Sequence, residues 1–340
     1  MLQFNSPVQF PENWQRTSSP AINRLFAQNI DIAQAIIYLE LALQVYTRDA
    51  FPENWANTQT SLGTAYRDRI QGNSNDNLEQ AIYFYDQAAQ ISTCESYPEK
   101  WSTNQAHLAE VLIKRAKLTN SCTDLDTAIE LLQSSLKLAV IGSPDYIDTN
   151  YRLGNALSRR YEHTKNADEL KQAMQAYKIA LDAISPEHYD RQKIWQALPS
   201  TQAILGSRLV RDGQWQEGLQ LLLNSLNQLG TDGDHLAHAN ALYQTGRAYE
   251  VMTDLDKART YYRDALRLYE HLKDQLGTTQ SRAGLGSVLV SQGYLEKGLN
   301  ELEKVRDGYS LLPKDTQTEF DSIYQAAKRA LERSNNEVYV

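Results

Sequence analysis

Apolar and small residues recur at spacings of three and four in NLEQAIYFYDQA, TDLDTAIELLQSS, ADELKQAMQAYKIA, QWQEGLQLLLNS, DLDKARTYYRDA and YLEKGLNELEKV. That period puts one buried stripe on each of a series of helices. DIAQAIIYLELA, from Asp31, is one more such phrase, with Ala35 as its small residue. In the six phrases a small residue (Ala81, Ala128, Ala173, Gly218, Ala258, Gly298) is followed four positions on by a bulky one (Tyr85, Leu132, Tyr177, Leu222, Tyr262, Leu302). A small side chain marks a close helix crossing, where a larger one would hold the axes apart.

A second set of small residues precedes these, one per phrase: Gly63, Ala109, Gly154, Gly206, Gly246 and Gly286, at intervals of 46, 45, 52, 40 and 40. Repetition on this scale predicts stacked units, each a helix A followed by a helix B. The two small positions are 18, 19 and 19 residues apart in the first three units and 12 apart in the last three. The additional residues (RDRIQGNSND, KRAKLTNSCT, SRRYEHTKNA) predict a longer helix A and a polar loop, the loops forming a ridge along one edge.

Punctuation agrees with this register. FPENW stands at 10–14 and 51–55, YPEKW at 97–101, and a degraded form, Ser-Pro-Asp-Tyr, at 143–146. Proline suits the first helical position, and the acidic residue after it faces the positive helix end. Asn77 with Gln80, Asp124 and Asp254 are expected N-caps of B helices. Pro20 predicts an irregular lead-in with one short helix before Asp31. Pro199 is expected to end or kink a helix. The expected organisation is an N-terminal half (1–185) with repeats of about 46 residues and an irregular or kinked junction (186–200). A C-terminal half with 40-residue repeats (201–312) and a capping helix, about 314–333, with a tail (313–340) would follow.

Composition narrows the function classes. The 340 residues are 41% hydrophobic and 22% charged, as in a folded soluble protein. With a net charge of −8, the chain gains nothing from neutralising phosphates, so neither nucleic acid nor an anionic membrane is an expected partner. Cys94 and Cys122 fit no metal spacing or disulfide framework. The N-terminus lacks a signal-peptide pattern and no apolar run approaches a membrane span, which predicts a cytoplasmic protein.

The small residue in helix A, followed by small-x3-bulky-x2-small in helix B, resembles the signature of tetratricopeptide repeats (TPR). Residues 51–91 resemble the long-unit TPR arrays common in cyanobacterial proteins, many fused to caspase-like CHAT protease domains. The residues carrying this are Phe51-Pro-Glu-Asn-Trp-Ala56, Thr58-Gln59, Leu62-Gly63, Ala65-Tyr66, Arg69-Ile70, Gly72 and Asn77-Leu-Glu-Gln-Ala-Ile82. Repeats 4 to 6 resemble the 40-residue TPRs of kinesin-light-chain-like and peptide-sensing regulators. The resemblance implies an all-α, right-handed superhelical solenoid of antiparallel helix pairs, about six to seven repeats with a C-terminal capping helix. Only 33 residues follow Asp307, too few for a protease domain, so protease function is not carried over.

No catalytic constellation stands out. Gly284-Leu-Gly286 lacks the third glycine and the strand of a phosphate loop and reads as close helix packing. His235 and His238, near Asp232 and Asp234, have a spacing that suits a metal; the preferred reading is the polar start of a helix A, with Asp234 near its cap. His107, His163, His188 and His271 are isolated. No enzyme activity, metal or cofactor is expected. In a TPR array helix A lines the inner groove, and its exposed positions fall six and three before the small residue and one, four and five after it. Repeat 1 gives Asn57, Thr60, Thr64, Arg67 and Asp68; repeat 3 gives Asp148, Tyr151, Asn155, Ser158 and Arg159; repeat 5 gives Asn240, Tyr243, Arg247 and Glu250. Repeats 2, 4 and 6 look blander, with Ala106, Glu110, Lys114, Ala203, Arg211, Gln280 and Ala283. The groove candidates are Asn57, Arg67, Tyr151, Asn155, Arg159, Asn240, Tyr243 and Arg247, because Asn, Arg and Tyr suit peptide capture. The expected function is a non-catalytic scaffold that binds a protein or peptide segment. The alternative is a ligand-responsive sensor acting with a separately encoded effector, for example a CHAT-type protease.

Overall fold

The computed structural model describes residues 32–185, 187–188, 191–229 and 235–337. The first FPENW copy, Pro20, Pro186, Asp232 and Asp234 lie outside the described residues. Among the described residues there are fourteen α-helices, one 3-10 helix and no strand. The chain divides into two compact units, Met1–Thr164 with Asp182–Ile184 and Lys165–Leu181 with Ser185–Val340.

The first unit holds α1 (Ile32–Val45), α2 (Pro52–Asp68), α3 (Ser74–Ala89), α4 (Pro98–Thr119), α5 (Cys122–Leu136) and α6 (Pro144–Thr164). Consecutive helices pack on one another throughout. Ile36 and Leu39 of α1 meet Leu62 and Ala65 of α2. Leu78, Ala81 and Tyr85 of α3 meet Val111 of α4. The small residues do what their size allows: a Cβ on Gly63 would stand 2.8 Å from the Tyr85 ring.

Pro52, Pro98 and Pro144 each open an A helix, with Glu53, Glu99 and Asp145 in the first turns. The caps partly differ from expectation. Asn73, not Asn77, caps α3, accepting from the N–H groups of Asn75 and Asp76. Asn77 is buried inside the helix, and its amide donates to the carbonyls of Arg69 and Gln71, closing the preceding loop. Ser121 caps α5, while Asp124 accepts two hydrogen bonds from Arg115 at 2.8 and 2.7 Å.

The additional residues of the long repeats are mostly helix, and the expected loop ridge is absent from repeats 2 and 3. Helix α4 runs to Thr119 and α5 starts at Cys122; α6 runs to Thr164 and the next helix starts at Ala167. Asn120 and Lys165, at φ 61° and 56°, turn the chain in the left-handed conformation that commonly ends a helix. The strong helix formers of KRAKL and SRRYE therefore stay helical up to that single turning residue.

The second unit holds most of α7 (Ala167–Ala183), then α8 (Arg191–Arg211), α9 (Trp215–Leu229), α10 (His235–Val251), α11 (Leu255–Leu272), α12 (Gln275–Ser291), α13 (Leu295–Lys304), a 3-10 turn (Val305–Leu311) and α14 (Lys314–Glu337). Helices α8 and α9, α10 and α11, and α12 and α13 form pairs, and α14 covers the last pair as a cap. The α8–α9 pair is the tightest in backbone terms. A Cβ on Gly206 would lie 2.7 Å from the Gly218 carbonyl oxygen, and one on Gly218 2.6 Å from that of Gly206.

Pro199 does not end a helix: it lies inside α8, which starts at Arg191. Ile194, Leu198 and Pro199 are buried, so tertiary packing outweighs the one backbone bond that proline removes. The three pairs close with one turn. Gln214, Asp254 and Tyr294 donate backbone N–H bonds five residues back, to Leu209, Tyr249 and Leu289. The residue before each is left-handed: Gly213 at φ 83°, Gly293 at φ 84° and, in place of glycine, Thr253 at φ 61°. Asp254 caps α11 as expected, accepting from Lys257 N–H.

Candidate functional site

The repeat rule places the inner-face positions of successive A helices side by side, and the two units fill those positions differently. In the first unit they carry charges that pair with one another. Arg67 of α2 bonds Asp68 at 2.8 Å and Glu110 of α4 at 2.8 Å. Lys114 lies 3.3 Å from both Asp68 and Glu110. Arg152 of α6 reaches Glu110 at 2.9 Å and Asp148 at 2.6 Å. Three cations thus meet three anions across three helices. The Arg67 and Arg152 side chains are each only 12% exposed, so these pairs are poorly screened.

The electrostatics follow from that closure. Burial alone would push the Glu110 carboxyl up, but Arg152, Arg67 and Lys114 hold it below the usual carboxylate range. For Asp68 burial is again outweighed, by the hydrogen bond and charge of Arg67 and then by Lys114. His107 sits among these groups. Burial, then the positive charges of Arg152 and Arg67, bring its imidazole down to about 3, so it is neutral at physiological pH.

In the second unit the equivalent positions open onto a cavity of about 210 Å³. Tyr243, Arg247, Glu250 and Val251 come from α10, and Gln280, Ala283, Gly284 and Ser287 from α12. Tyr262 of α11 and Leu302 of α13 contribute from the B helices, and Thr316, Glu319, Phe320 and Ile323 of α14 form the remaining wall. Gly284 makes the space: a Cβ there would sit 2.5 Å from the Tyr262 ring. Tyr262 reaches past it, donating its hydroxyl to Glu250 Oε2 at 2.5 Å. Ser287 donates to Glu250 Oε1 at 2.8 Å. The Glu250 carboxylate is therefore fixed in orientation. Burial raises its pKa despite these two bonds; Glu319 raises it further and Arg247 opposes. Arg247 and Glu319 are exposed, and among the described residues neither has an ion-pair or hydrogen-bond partner. Tyr243 stacks at a tilt on Tyr262, 5.8 Å between centroids. Its hydroxyl has no hydrogen-bond partner among the described residues.

Of the eight groove candidates, the structure brings Tyr243 and Arg247 together in this cavity. Asn240, one turn away, accepts from the Tyr269 hydroxyl at 2.6 Å and does not line it. Arg67 belongs to the ion-pair network. Asn57 is half-buried on α2. Tyr151, Asn155 and Arg159 share α6 at fourfold spacing, with Arg159 3.9 Å from Glu162. Sequence reasoning missed Arg152 in the network and Tyr262, Glu319, Phe320 and Ile323 around the cavity. A signal existed for the last three: positions 316, 319, 320 and 323 lie on one helix face. His235 is exposed and His238 half-buried, both on α10, and no group of three or more metal-ligating side chains occurs among the described residues. No described helix is long and apolar enough to cross a membrane.

Residues 200–271, from the middle of α8 through α11, match the tetratricopeptide repeat family model. Outside that stretch the same small-residue helix packing recurs in both units. Two solved structures share the fold. The apo form of RapI aligns with TM-score 0.58 and 13% identity over 93% of this chain and 86% of its own. A signal transduction ATPase with numerous domains (STAND) from Pyrococcus horikoshii, with a tetratricopeptide repeat sensor, aligns with TM-score 0.55 and 12% identity over 95% of this chain. The chain spans 47% of that protein's length. No curated protein matches the sequence.

Proposed function

We propose that this protein is a non-catalytic interaction module that binds a peptide or an extended protein segment at the α10–α12–α14 cavity. The observation that carries this is the convergence, on one concave site, of polar groups that make no hydrogen bond or ion pair among the described residues. They are the Arg247 guanidinium, the Glu319 carboxylate and the Tyr243 hydroxyl, beside aromatic and aliphatic walls. A largely preformed cleft with a few convergent polar groups is the general form of a binding site. The α6 candidates Tyr151, Asn155 and Arg159 form a secondary contact face in this reading, and Asn240 a flank of the cavity. The paired charges of the first unit serve structure instead.

The test is an array of acetylated, amidated heptapeptides probed with the full-length chain, wild type against Arg247→Ala. The wild type should retain a defined set of peptides, and the variant should change its affinity for them about ten-fold, downward for acidic peptides and upward for cationic ones. An Arg247→Ala chain that binds the same set equally well would remove the cavity from the account.

A second reading draws on the likeness to a STAND protein whose repeats are described as a sensor. Here the bound segment is a signal, and a separately encoded effector, such as a CHAT-type protease, reads the change. It requires a ligand-dependent change in shape. Small-angle scattering with and without a bound array peptide measures this, and an unchanged radius of gyration would leave only the scaffold.

A further inference from the structure

Resting on that reading of the cavity, we propose that it receives the cationic side chain of a lysine or arginine in the bound segment, held between Glu250 and Glu319. Size is the first argument. At about 210 Å³ the cavity is below the roughly 300–1,000 Å³ of pockets that enclose whole drug-sized ligands, so it suits one side chain of a longer chain.

Charge is the second argument. Two carboxylates and one guanidinium line the space, leaving it short of one positive charge. Glu250 is oriented by Tyr262 and Ser287, so it can accept from a ligand N–H without reorganising. Burial is what mainly raises the Glu250 pKa, and the negative charge of Glu319 adds more to it than Arg247 relieves. A cation placed between the two acids supplies what the protein does not.

The walls are the third argument. Tyr243, Tyr262 and Phe320 offer the aromatic faces that attract ammonium and guanidinium groups. The partnerless Tyr243 hydroxyl adds an acceptor; Arg247, Glu250 and Glu319 all act electrostatically on that phenol, so the four groups share one space. The aliphatic stem of a lysine or arginine would run along Ile323 while its head meets the acids.

The heptapeptide array tests this with the central residue fixed as Arg, Lys, Gln or Glu. Wild type should bind the Arg- and Lys-centred peptides about ten-fold more tightly than matched Gln-centred ones. Glu319→Gln, at an exposed position that does not threaten folding, should reduce that preference to within about two-fold, as should Glu250→Gln. Equal binding of all four series overturns the inference but leaves the cavity as a peptide site. So does a preference for Glu-centred peptides, which would make Arg247 the anchor. A preference that survives both carboxylate substitutions also overturns it. Binding of unblocked Gln-centred peptides alone would assign the site to a terminal amine and overturn the side-chain assignment. If no peptide of any series binds, both the inference and the underlying function fall.

Discussion

In the first unit the inner-face charges of three successive A helices meet one another; in the second, those of two A helices face a cavity. Arg67 and Arg247 hold comparable places, four and one residues after the small residue of their repeats, yet among the described residues Arg67 is paired twice and Arg247 not at all. The contrast shows why residue type at an inner-face position does not by itself mark a binding group. A half-buried arginine closed by two carboxylates contributes to packing. One that has no partner keeps its bonding capacity for something else.

The largest expected effect lies in the closed network. Glu110→Ala leaves two little-exposed guanidiniums without their shared anion and should cost about 3–5 kcal/mol, seen in urea denaturation as an early loss of helicity. A cost under about 1 kcal/mol would show that water replaces the carboxylate and that the network is not closed.

Acid should separate the two regions next. Asp68 and Glu110 have depressed pKa values, so their stabilisation is complete above the ordinary carboxylate range and is lost as pH falls through the lowered values. Glu250 has a raised pKa; its ionised form opposes folding at neutral pH, and that opposition disappears as pH falls toward the ordinary carboxylate range. His107, held neutral in the first unit, resists protonation, so urea melts at a series of pH values should show stability falling already below the ordinary histidine range and falling further below the carboxylate range. Glu250→Gln should make the first fall steeper, because the stabilising proton uptake at Glu250 is gone.

Smaller again is the effect of the turn after α10. Thr253 is a β-branched residue at positive φ, where the neighbouring repeats have Gly213 and Gly293. Thr253→Gly should stabilise the protein by about 1 kcal/mol, because glycine takes this conformation without steric cost. A destabilisation would mean that the threonine side chain makes a contact worth more than the strain. Smallest of all, Arg247→Ala should change stability by less than about 0.5 kcal/mol, since its guanidinium holds nothing in the fold. A loss above about 1 kcal/mol would place Arg247 with Arg67 as a structural group and erase the contrast.

Much of the fold was legible in the sequence. Pro52, Pro98 and Pro144 open helices where their chemistry requires, and the small residues at 63, 206, 246 and 286 lie under bulky side chains or glycine backbone. Local chemistry misled where distant packing decided. Asn77 has the composition of a cap but tethers a loop, and Pro199 has the composition of a stop but is held in helix by buried neighbours. Part of the cavity was legible through the inner-face rule, which gathers Tyr243, Arg247, Glu250, Gln280 and Ala283 from two repeats. Its fourth side comes from α14, outside the repeat period, so no repeat register could point to Glu319 or Phe320. The partners of Arg67 were obscure for a related reason: Glu110 lies 43 residues away, one repeat on.

The most direct test is hydrogen–deuterium exchange of the full chain with and without the tightest peptide of the array. Protection confined to the segments around 243–251, 280–287 and 316–323 is the predicted result. Protection centred on 64–68, 110–114 and 148–159, with none at the cavity, would contradict the account and move binding to the face assigned here to structure.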